Sequence, residues 1–369
     1  MANIVFITGT RADFGKMKPL ILKCIELESY NVYVFVTGMH MLSKYGSTYR
    51  EVDALGIRNV YKFINQNSND HLDVIVAKTI HGLSDYAREV HPDMLVIHGD
   101  RSETLAAAIV GSLNNILTIH VEGGEVSGTI DELIRHSVSK LSHIHFVSNN
   151  EAYSRLIQLG ESDSSIFNIG SPDIDIMNSP SLPTIEEVKA RYEIIFNKYA
   201  ILMFHPVTTE LHDLERQIDE IINSLLNSGL DYVTIYPNND PGSQIILNRL
   251  ERLTRNQHFR IFPSMRFEYF LTLLKHSLFI IGNSSAGIRE APHYSVPTIN
   301  VGSRQNRRAS SKTIINVPPN RVDILEAIRL APMLDCSSQS LFGNGNSADL
   351  FAEALVSIDP SEHPKQKFF

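Results

Sequence analysis

Short apolar runs rich in β-branched residues recur along the chain at Asn3–Thr8, Val32–Thr37, Met94–His98, Ile116–Val121 and His143–Val147. Between them lie longer stretches whose apolar residues keep helical spacing, such as Lys16–Leu27 and Glu103–Leu113. Strand and helix in alternation form the βαβ signature of a parallel, doubly wound sheet. A second series follows at Tyr199–Phe204, Tyr232–Tyr236, Arg260–Phe262, Leu278–Ile281, Pro297–Val301 and Ile314–Val317. The pattern therefore predicts an α/β protein with two Rossmann-like halves, 1–177 and 178–347, joined where two prolines interrupt Asn178–Thr184. Residues 348–369 read as a helix, ADLFAEALVSI, and a polar tail, with the helix expected to pack back on the N-terminal half. Open parallel sheets bind ligands beyond the carboxyl ends of their strands, so the two halves are expected to face one central cleft.

Composition narrows the partners. Of 369 residues, 33 are basic and 41 acidic, a net charge of −8, and 43% are hydrophobic. That is ample for conventional cores, and an acidic balance argues against nucleic acid, whose phosphates ask for a basic surface. No run reaches the ~18 apolar residues of a membrane helix, and the N-terminal run reads as a strand rather than a leader. Two cysteines, Cys24 and Cys336, make no disulfide framework and fit a reducing, cytoplasmic setting.

The chemistry should lie just after the strands. Gly9–Lys16 ends one strand and opens a helix, where free N–H groups and the positive dipole end favour an anion and Arg11 and Lys16 add charge. It has neither the GxGxxG order of a dinucleotide fold nor the GK[ST] ending of a P-loop. Met94–Arg101 places Asp100 just beyond a strand, and Ile119–Glu125 does the same with Glu122. Either acid could simply cap the next helix or turn, but two neighbouring strands each ending in an acid beside glycine suit acid–base work. Asp131 opens a helix soon after, with Arg135 at i+4, the spacing of an ordinary exposed ion pair. His143 and His145 lack a third ligand at metal spacing, so no metal site is assigned.

In the second half, Ala200–Thr209 ends a strand in His205. Phe279–Glu290 has the strand–turn–helix form of a phosphate cradle, with Ser284, Ser285 and the amides up to Gly287 able to donate. Glu290 comes next, where an acid can accept both hydroxyls of a ribose. Gly302–Arg308 adds arginines, Arg304 among them, whose forks suit phosphate.

Together the segments TGTRADFGK, VTGMH, HGDR, HVEGGEVSGTIDELIRHSVSKLSHIHF, GSPD, FHPVTTE, YPNND, RFEYFLTLLKH and GNSSAGIREAP resemble the hydrolysing UDP-N-acetylglucosamine 2-epimerases over nearly the whole chain. The non-hydrolysing relatives have GTRPEA-like and GHRRE-like loops where this chain has Thr10–Asp13 and Phe204–Val207. The resemblance implies a glycosyltransferase-B-like fold, with UDP held mainly by the C-terminal half and the sugar facing the N-terminal half. It implies anti elimination of UDP to a 2-acetamidoglucal, then hydration to N-acetylmannosamine, the first step of sialic acid synthesis. It calls for no NAD, no other cofactor and no metal, and it suggests a homodimer or a tetramer built from dimers. By resemblance the catalytic acids fall on Asp100, Glu122 and Asp131. The UDP contacts fall on Arg11, Arg101, His205, Asn238, Ser284, Ser285, Glu290 and Arg304.

Three rivals remain: the same reaction on a UDP-2,4-diacetamido-trideoxyhexose, as in legionaminic-type pathways, a retaining glycosyltransferase, and a silent nucleotide-sugar binder. A glycosyltransferase would release UDP only with an acceptor. A pure binder has no use for three acids.

Overall fold

Two parallel sheets organise the chain in a computed structural model that describes residues 1–67, 70–127, 130–305, 311–337 and 341–361. The first is built from β1 (Ala2–Thr8), β2 (Tyr30–Val36), β3 (Asn59–Lys62), β4 (Met94–His98), β5 (Leu117–Val121), β6 (Ile144–Val147) and β7 (Ile166–Asn168). Their spatial order is β3-β2-β1-β4-β5-β6-β7. The central strands β4 and β5 are buried at every residue, which is why they read as unbroken apolar runs rather than alternating ones. The edge strands β3 and β7 escape that pattern. β3 has no buried residue and β7 is only Ile-Phe-Asn, so neither carries the run that betrays a central strand.

The second sheet holds β8 (Ala200–Met203), β9 (Tyr232–Ile235), β10 (Phe259–Phe262), β11 (Ile280–Gly282), β12 (Thr298–Val301) and β13 (Ile314–Val317). Its order is β10-β9-β8-β11-β12-β13. In both sheets the strand order reverses beside the first strand, between β1 and β4 and between β8 and β11. Such a switch point opens a crevice at the strands' carboxyl ends, where ligands bind in this class of sheet.

The chain divides into two compact units. One comprises Met1–Glu125, Asp131–Asn178 and the chain from Phe342 onward; the other comprises Val126–Ile130 and Ser179–Leu341. The return to the first unit thus begins at Phe342, ahead of the position 348 read from the sequence. After it, the helix Ser347–Ser357 packs on the helices Arg11–Glu26 and Pro172–Met177. Asp175 accepts from the Ser347 and Ala348 N–H groups at 2.9 and 2.8 Å, satisfying donors that a helix start otherwise leaves unpaired. Phe351 is fully buried, with its ring centroid 4.7 Å from that of Phe146 on β6. The tail beyond 361 lies outside the described residues.

If this returning helix is part of the first unit's core, Phe351→Ala should lower stability by about 3–5 kcal/mol, the usual cost of emptying a buried phenylalanine site. Urea denaturation of the full chain measures it, and an unchanged midpoint would place Phe351 outside the core.

Candidate functional site

Most of the candidate acids and cations of the first unit lie just past β1, β4 and β5. The loop after β1 opens the helix Arg11–Glu26 with a capping box: Thr10 accepts from the Asp13 N–H, and Asp13 reaches back. The Asp13 carboxylate accepts from the N–H groups of Gly9 and Thr10 at 3.0 Å each, and from the Thr8 hydroxyl. Two of the N–H groups expected to await a phosphate, those of Gly9 and Thr10, are thus already taken by Asp13. Burial pushes the Asp13 carboxyl above its usual range, against the pull of those hydrogen bonds. The Thr8 hydroxyl proton goes to Asp13, so its oxygen can accept from His40 Nε2, 2.9 Å away. His40 Nδ1 in turn lies 2.7 Å from Thr48 Oγ1.

The two cations of that first loop are both engaged. Arg11 pairs with Glu51 at 2.5 Å, and Lys16 Nζ lies 3.2 Å from Asp173 and 3.6 Å from Glu122. Lys16 therefore stands among carboxylates. Glu122, just past β5, is 3% exposed and has φ of 62°, a left-handed conformation that costs a non-glycine residue on the order of 1 kcal/mol. The Gly123 and Gly124 beside it have no room for side chains, since a Cβ on Gly124 would sit 2.3 Å from the Ala152 carbonyl oxygen. One Glu122 oxygen accepts from the Ser171 hydroxyl, and the other lies 3.2 Å from His98 Nε2.

Asp100, just past β4, is bonded to Arg135, whose guanidinium also lies 3.9 Å from Glu125. Glu125 accepts from Ser148 at 2.6 Å. Arg135 is 2% exposed, so the i,i+4 partner of Asp131 is no exposed helical pair but the buried counter-charge of Asp100. Asp131 is half-buried in the first turn of the same helix, Ile130–Leu141. Arg101 Nε lies 3.8 Å from Glu103, a buried acid that also meets Ser102 and Gln66. His120, fully buried in β5, donates from Nε2 to the Gly99 carbonyl at 2.8 Å and so ties the Asp100 loop to the strand beside it. Burial pushes both His40 and His120 down to about 3.

In the second unit the switch point is knit by Asn283. Its side-chain oxygen accepts from the His205 N–H at 2.7 Å, and its amide donates to the His205 carbonyl at 2.8 Å. His205 Nδ1 accepts from the Asn238 N–H at 3.2 Å, so the ends of β8, β9 and β11 are joined through the backbone and ring of His205. Arg304 and Gln305 donate to the Asn283 carbonyl at 3.2 and 2.9 Å. Ser284 caps the short turn Ser285–Gly287 by accepting from the Ala286 N–H, and the buried Glu290 opens the helical turn after it. Gly287 owes its glycine to packing, because a Cβ there would lie 2.6 Å from the Thr298 methyl. Asn306, Arg307 and Arg308 of the basic stretch lie outside the described residues.

His98, Glu125, Ser171 and Asp173 also belong to the acid clusters, though their local sequence does not mark them as such. The Gly170–Asp173 tetrapeptide is among the resembling segments, but nothing local joins it to Glu122. His143 and His145 do not form a pair: His143 accepts from the Thr118 N–H, while His145 faces Glu161 at 3.2 Å. Among the described residues no cluster of three or more His, Cys, Asp or Glu is placed to hold a metal ion, and no helix is long and apolar enough to cross a membrane.

A family model described as UDP-N-acetylglucosamine 2-epimerase matches residues 23–356. The chain belongs to that family. It is 46% identical to a UDP-N-acetylglucosamine 2-epimerase of Neisseria meningitidis serogroup B, over 100% of this chain and 99% of the relative. It is 33% identical to the UDP-N,N'-diacetylbacillosamine 2-epimerase (hydrolyzing) of Legionella pneumophila, over 96% of each. A crystal structure of a UDP-GlcNAc 2-epimerase from Neisseria meningitidis bound to UDP-GlcNAc superposes with a TM-score of 0.81 at 20% identity, over 96% of this chain and 100% of that one. The family's fold, two parallel α/β domains of glycosyltransferase-B type, is the fold of this chain.

The two depressed histidines make stability depend on pH. An unfolded histidine takes a proton near 6.5, whereas His40 and His120 resist it down to about 3, so the unfolded state binds more protons in between. Stability should therefore fall as pH drops below 6.5. Between about pH 6.5 and 5, where carboxylates change little, the denaturation midpoint should decline less steeply in a His40→Asn/His120→Asn variant than in the native chain. Equal slopes would contradict the assignment.

Proposed function

We propose that this UDP-N-acetylglucosamine 2-epimerase works in the hydrolysing mode, turning UDP-N-acetylglucosamine and water into N-acetylmannosamine and UDP. The observation that carries the reading is the set of acids at the ends of β4 and β5, Asp100 paired with Arg135 and Glu122 set among Lys16, His98 and Ser171. In support of the hydrolysing mode, Thr10–Asp13 and Phe204–Val207 depart from the loops of the non-hydrolysing branch, and the Legionella relative carries that mode in its name. The higher identity to an enzyme named for UDP-N-acetylglucosamine favours that sugar over a diacetamido analogue.

The C2 proton of the sugar is weakly acidic, so its removal must follow C1–O cleavage that has already placed oxocarbenium-like charge on the ring. Glu122, buried, with the Ser171 hydroxyl donating to one oxygen and His98 Nε2 3.2 Å from the other, is the carboxylate suited to face that charge. Asp100 and Asp131 are less buried and are the groups assigned to take the C2 proton and return one during hydration. The C1–O electrons leave with UDP, and water then adds its hydroxyl at C1 and a proton at C2. His205, Asn238, Ser284, Ser285, Gly287, Glu290 and Arg304 are assigned to UDP in the second unit, with Arg11 and Arg101 from the first. Lys16, paired with Glu122 and Asp173, serves the acids. A cytoplasmic location, a homodimer or tetramer of dimers, and use of the product for sialic acid go with this reading.

Proton NMR of UDP-N-acetylglucosamine with the enzyme in heavy water tests it. Free N-acetylmannosamine deuterated at C2, with stoichiometric UDP and no acceptor added, is the expected result; a UDP-sugar as the only product would overturn the hydrolysing mode. Asp100→Asn, Glu122→Gln and Asp131→Asn should each still bind UDP yet lose about a hundredfold or more in kcat. Near-normal kcat in all three would return these residues to structural roles. For the UDP side, replacing Ser285 by Leu should weaken UDP binding at least about tenfold by calorimetry, since it fills the turn that the diphosphate is assigned to approach.

A further inference from the structure

Ser171 is fully buried between β7 and the short helix Pro172–Met177, and its two polar groups point to different parts of the chain. Its hydroxyl donates to Glu122 Oε1. Its N–H donates to the carbonyl of Phe342 at 2.6 Å, the residue at which the chain re-enters the first unit. Nothing larger than glycine allows that approach. A Cβ on Gly170 would lie 3.0 Å from the Gly343 Cα, and one on Gly343 would lie 2.8 Å from the Gly170 Cα, with φ of 76° and 111° at the two positions. Four residues beyond Ser171, Asp175 holds the first N–H groups of the returning helix.

We propose that Ser171 is a positioning residue for the epimerase reaction, fixing the orientation of the Glu122 carboxylate, and that the returning segment Phe342–Gly345 acts through Ser171 to hold it there. The proposal rests on the reading of Glu122 as catalytic. The terminal torsion of a glutamate is broad and two-fold, so its plane is set by whatever its oxygens bind. On the Oε2 side the neighbours are His98 and Lys16, at 3.2 and 3.6 Å. On the Oε1 side stands the Ser171 hydroxyl, a donor anchored by its own backbone. Hydrogen bonds to an ionised acceptor are the stronger kind, and one that sets direction matters most where charge develops in the transition state.

The test is a double-mutant cycle on the full chain with Ser171→Ala, Glu122→Gln and the pair, reading kcat, KM and the pH profile of UDP release from UDP-N-acetylglucosamine. Ser171→Ala should lower kcat about ten- to a hundredfold with KM changed less than about twofold. Because the lost bond favoured the ionised carboxylate, the acidic limb of its kcat profile should move to higher pH. In the Glu122→Gln background the same change should cost less than about threefold. Thermal melting and UDP calorimetry establish that each variant is folded. A folded Ser171→Ala with native kcat and an unmoved acidic limb overturns the proposal, as does a loss that adds in full to that of Glu122→Gln. If Glu122→Gln itself turns over normally, the reading of the acids falls and this proposal with it. If Glu122→Gln is inactive and Ser171→Ala normal, only the role of Ser171 falls.

Discussion

A carboxylate buried at the end of a parallel strand has to be met by polar or positive groups from elsewhere in the chain, and at Glu122 they come from three separate segments. Lys16 stands on the helix after β1, His98 ends β4 and Ser171 lies just past β7. Removing a charge from water costs several kcal/mol even after relaxation, so this acid is tolerable only where those segments converge. A parallel sheet supplies the convergence, since every strand delivers its carboxyl end to the same edge. Asp100 and Arg135 repeat the solution one strand away, and the left-handed backbone at Glu122 is held by glycines that admit close packing around it.

The second unit uses its switch point differently. Its anchor is a neutral amide, Asn283, which bonds both backbone groups of His205 and offers its own carbonyl to Arg304 and Gln305. Hydrogen bonds between neutral groups and backbone fix loop shape with little desolvation cost. That suits a cradle for a ligand that brings its own negative charge. The first unit, by contrast, carries fixed charges set in place before any substrate arrives, the arrangement by which a protein stabilises charge appearing during a reaction without reorganising at that moment.

The returning helix joins these themes. Its capping by Asp175 and the burial of Phe351 make it part of the first unit's core, and the same crossing places Phe342 against Ser171. A segment distant in sequence, reached only after the whole second sheet has been built, thereby enters the support of a single carboxylate. Long closures of this kind cost entropy that grows only slowly with length, so the detour is tolerated.

The two-sheet α/β plan is legible in the amino-acid pattern alone, because central parallel strands must be apolar throughout and leave an unmistakable signature. The sequence also placed Asp100, Glu122, His205 and Ser284 at strand ends, where the crevice of such a sheet lies. It could not mark β3 or β7, whose exposure or brevity removes the pattern. Nor could it tell that the Gly9 and Thr10 N–H groups are taken by Asp13, that Arg135 answers Asp100, or that Gly287 is kept small by Thr298. Those are facts about which distant side chains arrive at one point. Periodicity reports burial along a single element, whereas the pairing of charges depends on the tertiary structure that brings several elements' ends together.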